Sequence, residues 1–198
     1  VSETFAASTA TSSAAEAWFG DAFARLHPRL QALHREGGQL NGPVVFRTGR
    51  GIGGLLGRIA LRRFGINDAN GAHMLAVEIR HVAGGLRWAR RFGAGRELVS
   101  LFEPHGQWPT GCWIERAGPL ALTLDVDFTD GGWRWRPLRY RLFGLPLPSW
   151  LLPQVEAGKR IVDDAYRFDI RIGFRGLGMV LAYGGDLRLR PGADATAR

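Results

Sequence analysis

The stretch Tyr166–Arg190, YRFDIRIGFRGLGMVLAYGGDLRLR, decides the fold class. Tyr166, Phe168, Ile170, Ile172 and Phe174 fall on one side of a two-residue repeat, and Arg167, Asp169, Arg171 and Arg175 on the other. After a glycine-rich break at Gly176 and Gly178, Met179, Leu181, Tyr183, Leu187 and Leu189 alternate with Ala182, Asp186, Arg188 and Arg190. Successive side chains of a strand point to opposite faces, so this pattern predicts an antiparallel hairpin with one buried face and one wet face.

The same alternation extends outward. Leu120, Leu122, Leu124, Val126 and Phe128 repeat it strictly, and strand patterns run over Leu75–Val82, Leu86–Phe92, Glu97–Phe102, Cys112–Ala117 and Trp133–Phe143. Pro43–Arg47 is a shorter candidate. Gly84-Gly85, Gly93–Gly95 and Asp130–Gly132 separate neighbours as hairpin turns. Eight or nine strands joined this way predict an up-and-down meander that curls around its own core as a half-barrel or closes into a barrel. Ahead of it, Trp18, Phe19, Ala22, Phe23, Leu26, Leu30 and Leu33 recur at helical spacing. Pro28 divides that helix and Gly37-Gly38 ends it. Leu55–Phe64 reads as a second helix, with Leu56, Ile59, Ala60 and Phe64 opposed by Arg58, Arg62 and Arg63. The predicted class is α+β: N-terminal helical segments packed on a large curved antiparallel sheet. Residues 14–190 form one domain, with flexible tails at 1–13 and 191–198.

Composition bounds the function. A hydrophobic fraction of 45% and seven tryptophans support a packed core. Cys112 is the only cysteine, which rules out an internal disulfide and points to the cytoplasm, with contact at a membrane surface left open. The first residues carry neither a basic nor an apolar signal region. The net charge of +8 suggests anionic partners, but the arginines are scattered over the wet faces of strands, so nucleic acid is not expected. Lys159 is the only lysine, an arginine bias that reads as genomic base composition.

Three segments invite a chemical reading. Gly49-Arg50-Gly51-Ile52-Gly53-Gly54 matches a dinucleotide-binding fingerprint between strand and helix. The hairpin-linked strands that follow lack its crossover helices, so a tight glycine turn is expected and no cofactor is assigned. Leu86, Trp88, Arg90 and Phe92 share an apolar face, which turns Arg90 inward. A buried guanidinium needs a partner; Glu115 is the first candidate, ahead of Glu78 and Glu103. Either the pair pins the sheet register, or Arg90 receives the acidic head of an amphiphilic ligand. The segment Leu142–Pro153, with Leu145, Pro146, Pro148 and Trp150, is apolar but too proline-rich for regular structure. It is expected to pack across the mouth of the sheet, or else to act as a lid or membrane-touching loop.

Other candidates are plainer. His27 and His34 lie seven apart on one helix face without a third ligand, and read as core-edge histidines rather than a metal site. Asp125 and Asp127 share a wet strand face, and no Ser/His/Asp or Cys/His set is visible.

Together, Phe23, Leu33-His34, Arg47-Thr48-Gly49-Arg50-Gly51, Trp88, Arg90 and Phe92 resemble a known family. So do Glu115–Leu120, Gly144–Pro148, Arg167-Phe168-Asp169-Ile170 and Gly178 through Leu187. The chain is similar, over residues 23–190, to the bacterial domain of unknown function 4166 family. That resemblance implies a standalone domain or one fused behind a nucleotide-dependent dehydrogenase-like domain, and it brings no assigned activity. Its recurrent residues include Arg90 and the apolar loop.

The leading expectation is a non-catalytic binding module that encloses an apolar or amphiphilic, lipid-like molecule. Trp88, Phe92, Trp113, Phe168 and Tyr183 would line its pocket, with Arg90 and Glu115 supplying the polar contact. The alternatives are an accessory domain that docks on an oxidoreductase partner or a membrane, and an enzyme acting on a lipid-like substrate.

Overall fold

A computed structural model describes residues 13–66 and 71–190. The expected tails therefore lie outside the described residues, save Ser13, which caps the first helix. Helix α1 (Ala14–Phe19) runs into a 3-10 turn (Gly20–Arg25), and α2 (Pro28–Glu36) follows with Pro28 in its first turn. The Ser13 hydroxyl accepts from the Glu16 N–H and His27 Nδ1 from the Arg29 N–H, so each helix opens on a side-chain cap.

Strand β1 (Gly38–Thr48) leads into α3 (Gly51–Arg63). Then come β2 (Ala72–Val82), β3 (Gly85–Phe92), β4 (Leu98–His105), β5 (Cys112–Ala117) and β6 (Leu120–Thr129). The chain continues through β7 (Gly132–Leu142), the two-residue β8 (Leu145–Pro146), β9 (Gln154–Val162), β10 (Ala165–Phe174) and β11 (Gly178–Arg190). All pairings are antiparallel, β9 pairs with β7 across the short β8, and β1 closes on β11, so ten strands form an up-and-down barrel with β8 an extra strand on the far end of the β7 edge that β9 begins. Closure pairs the strand edges around the ring except where β7 and β9 part.

The ring is uneven. Strands β6 and β7 pair over ten positions, whereas β7 and β9 share only three: Trp133 with Lys159, Arg134 with Gly158, and Trp135 with Ala157. Beyond Trp135 the two strands diverge, and the 143–153 segment fills the gap. Its ties to β7 include the Tyr140 hydroxyl donating to the Pro153 carbonyl at 2.9 Å and the Leu147 N–H donating to the Tyr140 carbonyl at 3.0 Å.

One end of the barrel is plugged. Trp18, Phe19, Phe23, Leu26, Leu30 and Leu33 of the N-terminal helices are buried against Trp113, Trp133 and Phe128 at the end formed by the β4–β5 and β6–β7 turns. Each such side chain contributes about 1.5–3 kcal/mol by leaving water. The opposite end carries α3, and there the sequence expectation inverts. Gly53, Gly54 and Gly57 form the helix face laid on the barrel, and a methyl at Gly57 would collide with the Val180 carbonyl oxygen of β11. Ile52, Leu55, Leu56 and Ile59 consequently face solvent, Ala60 is half-buried, and Phe64 packs on Phe92. The close approach that glycine permits outranks burial of the longer side chains.

Candidate functional site

Inside the barrel is a cavity of about 300 Å³, at the lower end of the range for small-molecule sites. Trp88, Arg90, Phe92, Trp113, Glu115, Phe168 and Tyr183 all line it. Alternation places them: the inward positions of β3 hold Leu86, Trp88, Arg90 and Phe92, and those of β5 hold Trp113 and Glu115.

Exposure of the inward side chains shows which end is open. On β6, Leu120 and Leu122 are half-exposed while Leu124 and Val126 are buried; on β10, Ile170 and Ile172 are half-exposed while Tyr166 and Phe168 are buried. On β9, Val155 is half-exposed while Ala157 and Lys159 are buried. The cavity therefore opens toward the end that holds α3 and the 143–153 segment, and it is sealed by the N-terminal helices at the other.

Polarity follows the same axis. On β6, β9 and β10 the wall near the mouth is aliphatic, whereas Lys159 sits at the sealed end and the Arg90–Glu115 pair between. Arg90 Nη2 donates to Glu115 Oε1 at 3.1 Å and to Ser100 Oγ at 3.3 Å, and its guanidinium lies 5.8–5.9 Å from the ring centres of Phe102 and Trp88. Burial works against its charge, but the Glu115 carboxylate, with Tyr183 and Tyr166, more than offsets this and holds its pKa above the ordinary value. The pair answers the requirement for a buried guanidinium. Through Nη2, Arg90 is thereby engaged by Glu115 and Ser100.

The deepest group is Lys159, which the sequence pattern did not single out. It is 4% exposed, with its Nζ 2.7 Å from His34 Nε2 and 3.7 Å from the ring centre of Trp133. Trp88 and Trp135 lie further off, at 4.8 and 5.8 Å. Burial, with Arg90 adding repulsion, drives the amine well below the usual lysine range. His34, fully buried between Trp88 and Trp133, is pushed well below its ordinary value by burial first, then by Lys159 and His81. Two buried side-chain atoms among the described residues have no hydrogen-bond partner: His34 Nδ1 and Trp113 Nε1. Both belong to residues that line the cavity, and each orphaned atom carries a desolvation cost.

Several expectations need correction. His34 is not a core-edge residue but part of the cavity floor, whereas His27 caps α2. Leu145, Pro146, Pro148 and Trp150 do not pack across the mouth: Leu145 is 70% exposed and Trp150 74%, and both prolines are exposed. The segment does take regular structure, the short β8 and a 3-10 turn at Ser149–Leu151. The strand β9 was missed altogether, and the barrel has ten strands rather than eight or nine. The glycine run at Gly49–Gly54 serves helix packing, since methyls at Gly49, Gly53 and Gly54 would strike neighbouring backbone. Asp125 pairs with Arg136 on the outer face, and Asp127 accepts from the Phe128 N–H. Among the described residues no His, Cys, Asp and Glu cluster could hold a metal, and no helix is long and apolar enough to cross a membrane.

No curated protein and no solved structure matches the chain. One family model does, over residues 26–187, which takes in all of the cavity wall and its helical plug from Leu26 onward. The chain belongs to the family described as a domain of unknown function, DUF4166.

Proposed function

We propose that this barrel is a container for one apolar or amphiphilic molecule, held with its polar head at the sealed end and its chain toward the mouth. The observation that carries this reading is an enclosed, largely apolar cavity, with half-exposed aliphatic side chains of β6, β9 and β10 near the opening and Lys159 and His34 at its floor. Arg90 is occupied by Glu115, so head-group contact passes to the deeper groups. The wall supplies apolar contact and the floor supplies the polar Lys159–His34 pair, the division of labour that small-molecule sites show.

Titration with dansyl-undecanoic acid tests the reading, because the cavity tryptophans would transfer excitation to a bound dansyl group. Saturable one-to-one transfer is expected, and Leu122→Trp, which fills the mouth, should abolish it while leaving the unfolding midpoint in place. Absence of saturable transfer in the unmodified protein would sink the idea.

A second reading concerns the mouth. Phe143 (80% exposed), Leu145 and Trp150 protrude beside the opening, and exposed Arg58, Arg62, Arg141 and Arg175 stand at the same end. Apolar tips ringed by arginine suit the surface of an anionic membrane, from which a lipid-like ligand could be loaded. Co-sedimentation with phosphatidylserine vesicles but not with phosphatidylcholine vesicles would support it. Equal recovery in both supernatants would turn attention to a protein partner, such as a dehydrogenase-like domain.

A further inference from the structure

Twenty-six basic side chains are lysine or arginine, and the single amine among them lies in the cavity. The two side chains differ in one respect that matters there. Arginine keeps its proton in any protein environment, whereas lysine can lose it and expose a lone pair. At Lys159 the surroundings favour that loss. The nearest groups are aromatic rings and His34, and Glu115, the carboxylate on the cavity wall, is engaged by Arg90.

We infer that the Lys159 ε-amine captures the carbonyl of an apolar aldehyde or ketone as an imine at the floor of the barrel. The inference rests on the container reading and narrows its ligand class. The nitrogen lone pair attacks the carbonyl carbon and a C–N bond forms, while the carbonyl oxygen takes up a proton. The carbinolamine then sheds the nitrogen's proton and its own oxygen as water, leaving C=N. Amine plus carbonyl equals imine plus water, so no oxidant or reductant is needed. His34 Nε2, at 2.7 Å, is placed to take the proton from nitrogen and hand it to the departing oxygen, in the tautomer that leaves Nε2 unprotonated.

The burial that depresses the amine's pKa supports the same chemistry. An ordinary lysine offers its free base in only about one molecule in two thousand at neutral pH. The ionisable groups that share the cavity with the amine are His34, Arg90, Glu115, Tyr140, Tyr166 and Tyr183. Of these Arg90 is the fixed cation, and it disfavours a second positive charge.

The experiment is incubation with decanal and cyanoborohydride at neutral pH, followed by peptide mapping, with decanol as a competitor that has the same chain and no carbonyl. The expected result is a single decyl group on Lys159, formed at least ~100-fold faster than on a free lysine analogue because the cavity holds the carbonyl against the amine. Decanol should suppress it. Lys159→Met and Lys159→Arg should not label at this position. Mapping the unmodified protein locates the adduct even if a variant folds poorly. If decanol displaces the probe but decanal labels only the α-amine, or labels Lys159 at the rate of the free analogue, the imine inference is overturned and the container stands. If neither decanol nor the dansyl acid binds, both readings fall.

Discussion

The two ends of the barrel are built on opposite rules. At the sealed end, inward side chains are aromatic and buried, interlocked with the helices: Trp18 meets Trp113 at 5.7 Å, and Phe19 meets Trp133 at 5.1 Å. At the open end, β6, β9 and β10 present aliphatic, half-exposed side chains, Phe46, Phe92 and Tyr183 pack together beside Phe64, and the helix lying there turns Leu55 and Ile59 to solvent. One end supplies the stability that the other forgoes, an arrangement usual where a fold must admit something.

That contrast can be broken most severely at Trp113. Trp113→Ala at the sealed end should cost about 3–5 kcal/mol in urea unfolding, whereas Ile172→Val at the open rim should cost about 0.5 kcal/mol. Comparable losses at both sites would show that the ends are equally packed. The Arg90–Glu115 pair lies between them, with side chains 24% and 12% exposed. Arg90→Ala should cost about 2–3 kcal/mol because it strands the carboxylate, and the Arg90→Ala/Glu115→Ala double variant should cost clearly less than the sum.

Lys159→Met sharpens the comparison with an opposite sign. Burial lowers the amine's pKa in the folded state, so between that value and the unfolded value of about 10.4 the unfolded chain binds more protons, and stability rises with pH. Removing the amine should therefore stabilise the protein by about 1–2 kcal/mol near neutrality. The gain should shrink toward zero as pH approaches about 10.4 in a series of urea midpoints, where the unfolded amine also loses its proton. A gain that stays constant across that series would mean that packing rather than charge is responsible. Smallest of all, Trp150→Ala should shift stability by no more than about 0.5 kcal/mol, since the side chain is 74% exposed, while reducing recovery with anionic vesicles.

Most of the strands were legible because one wet face and one dry face leave a period of two, and the hairpin turns carry glycine or aspartate. The inward direction of Trp88, Arg90, Phe92, Trp113, Glu115, Phe168 and Tyr183 follows from counting along those strands. Strand β9 escaped for a physical reason. Its inward positions are Val155, Ala157, Lys159 and Ile161, and a lysine in an inward slot looks like part of a wet face. The available signal was compositional: a chain that uses arginine everywhere else keeps one amine. Helix α3 misled in the other direction. Its leucine and isoleucine stripe reads as the buried face, but three glycines let the backbone itself become the contact. The apolar loop was conspicuous in sequence, but its exposure depends on the divergence of β7 from β9, which no local pattern encodes.

That divergence has a mechanical consequence. From Arg136 onward no β7–β9 ladder has to part for the wall to widen; Tyr140 to Pro153 and Leu147 to Tyr140 are single hydrogen bonds, each with a net worth of about 1 kcal/mol. The other nine junctions between barrel strands are not interrupted in this way, so this junction is the easiest of the ten to widen. The barrel thus behaves as a stiff sleeve with one elastic gusset. On the container reading, the bulk of ligand that fits would depend on the placement of the 143–153 segment as well as on the cavity's resting volume.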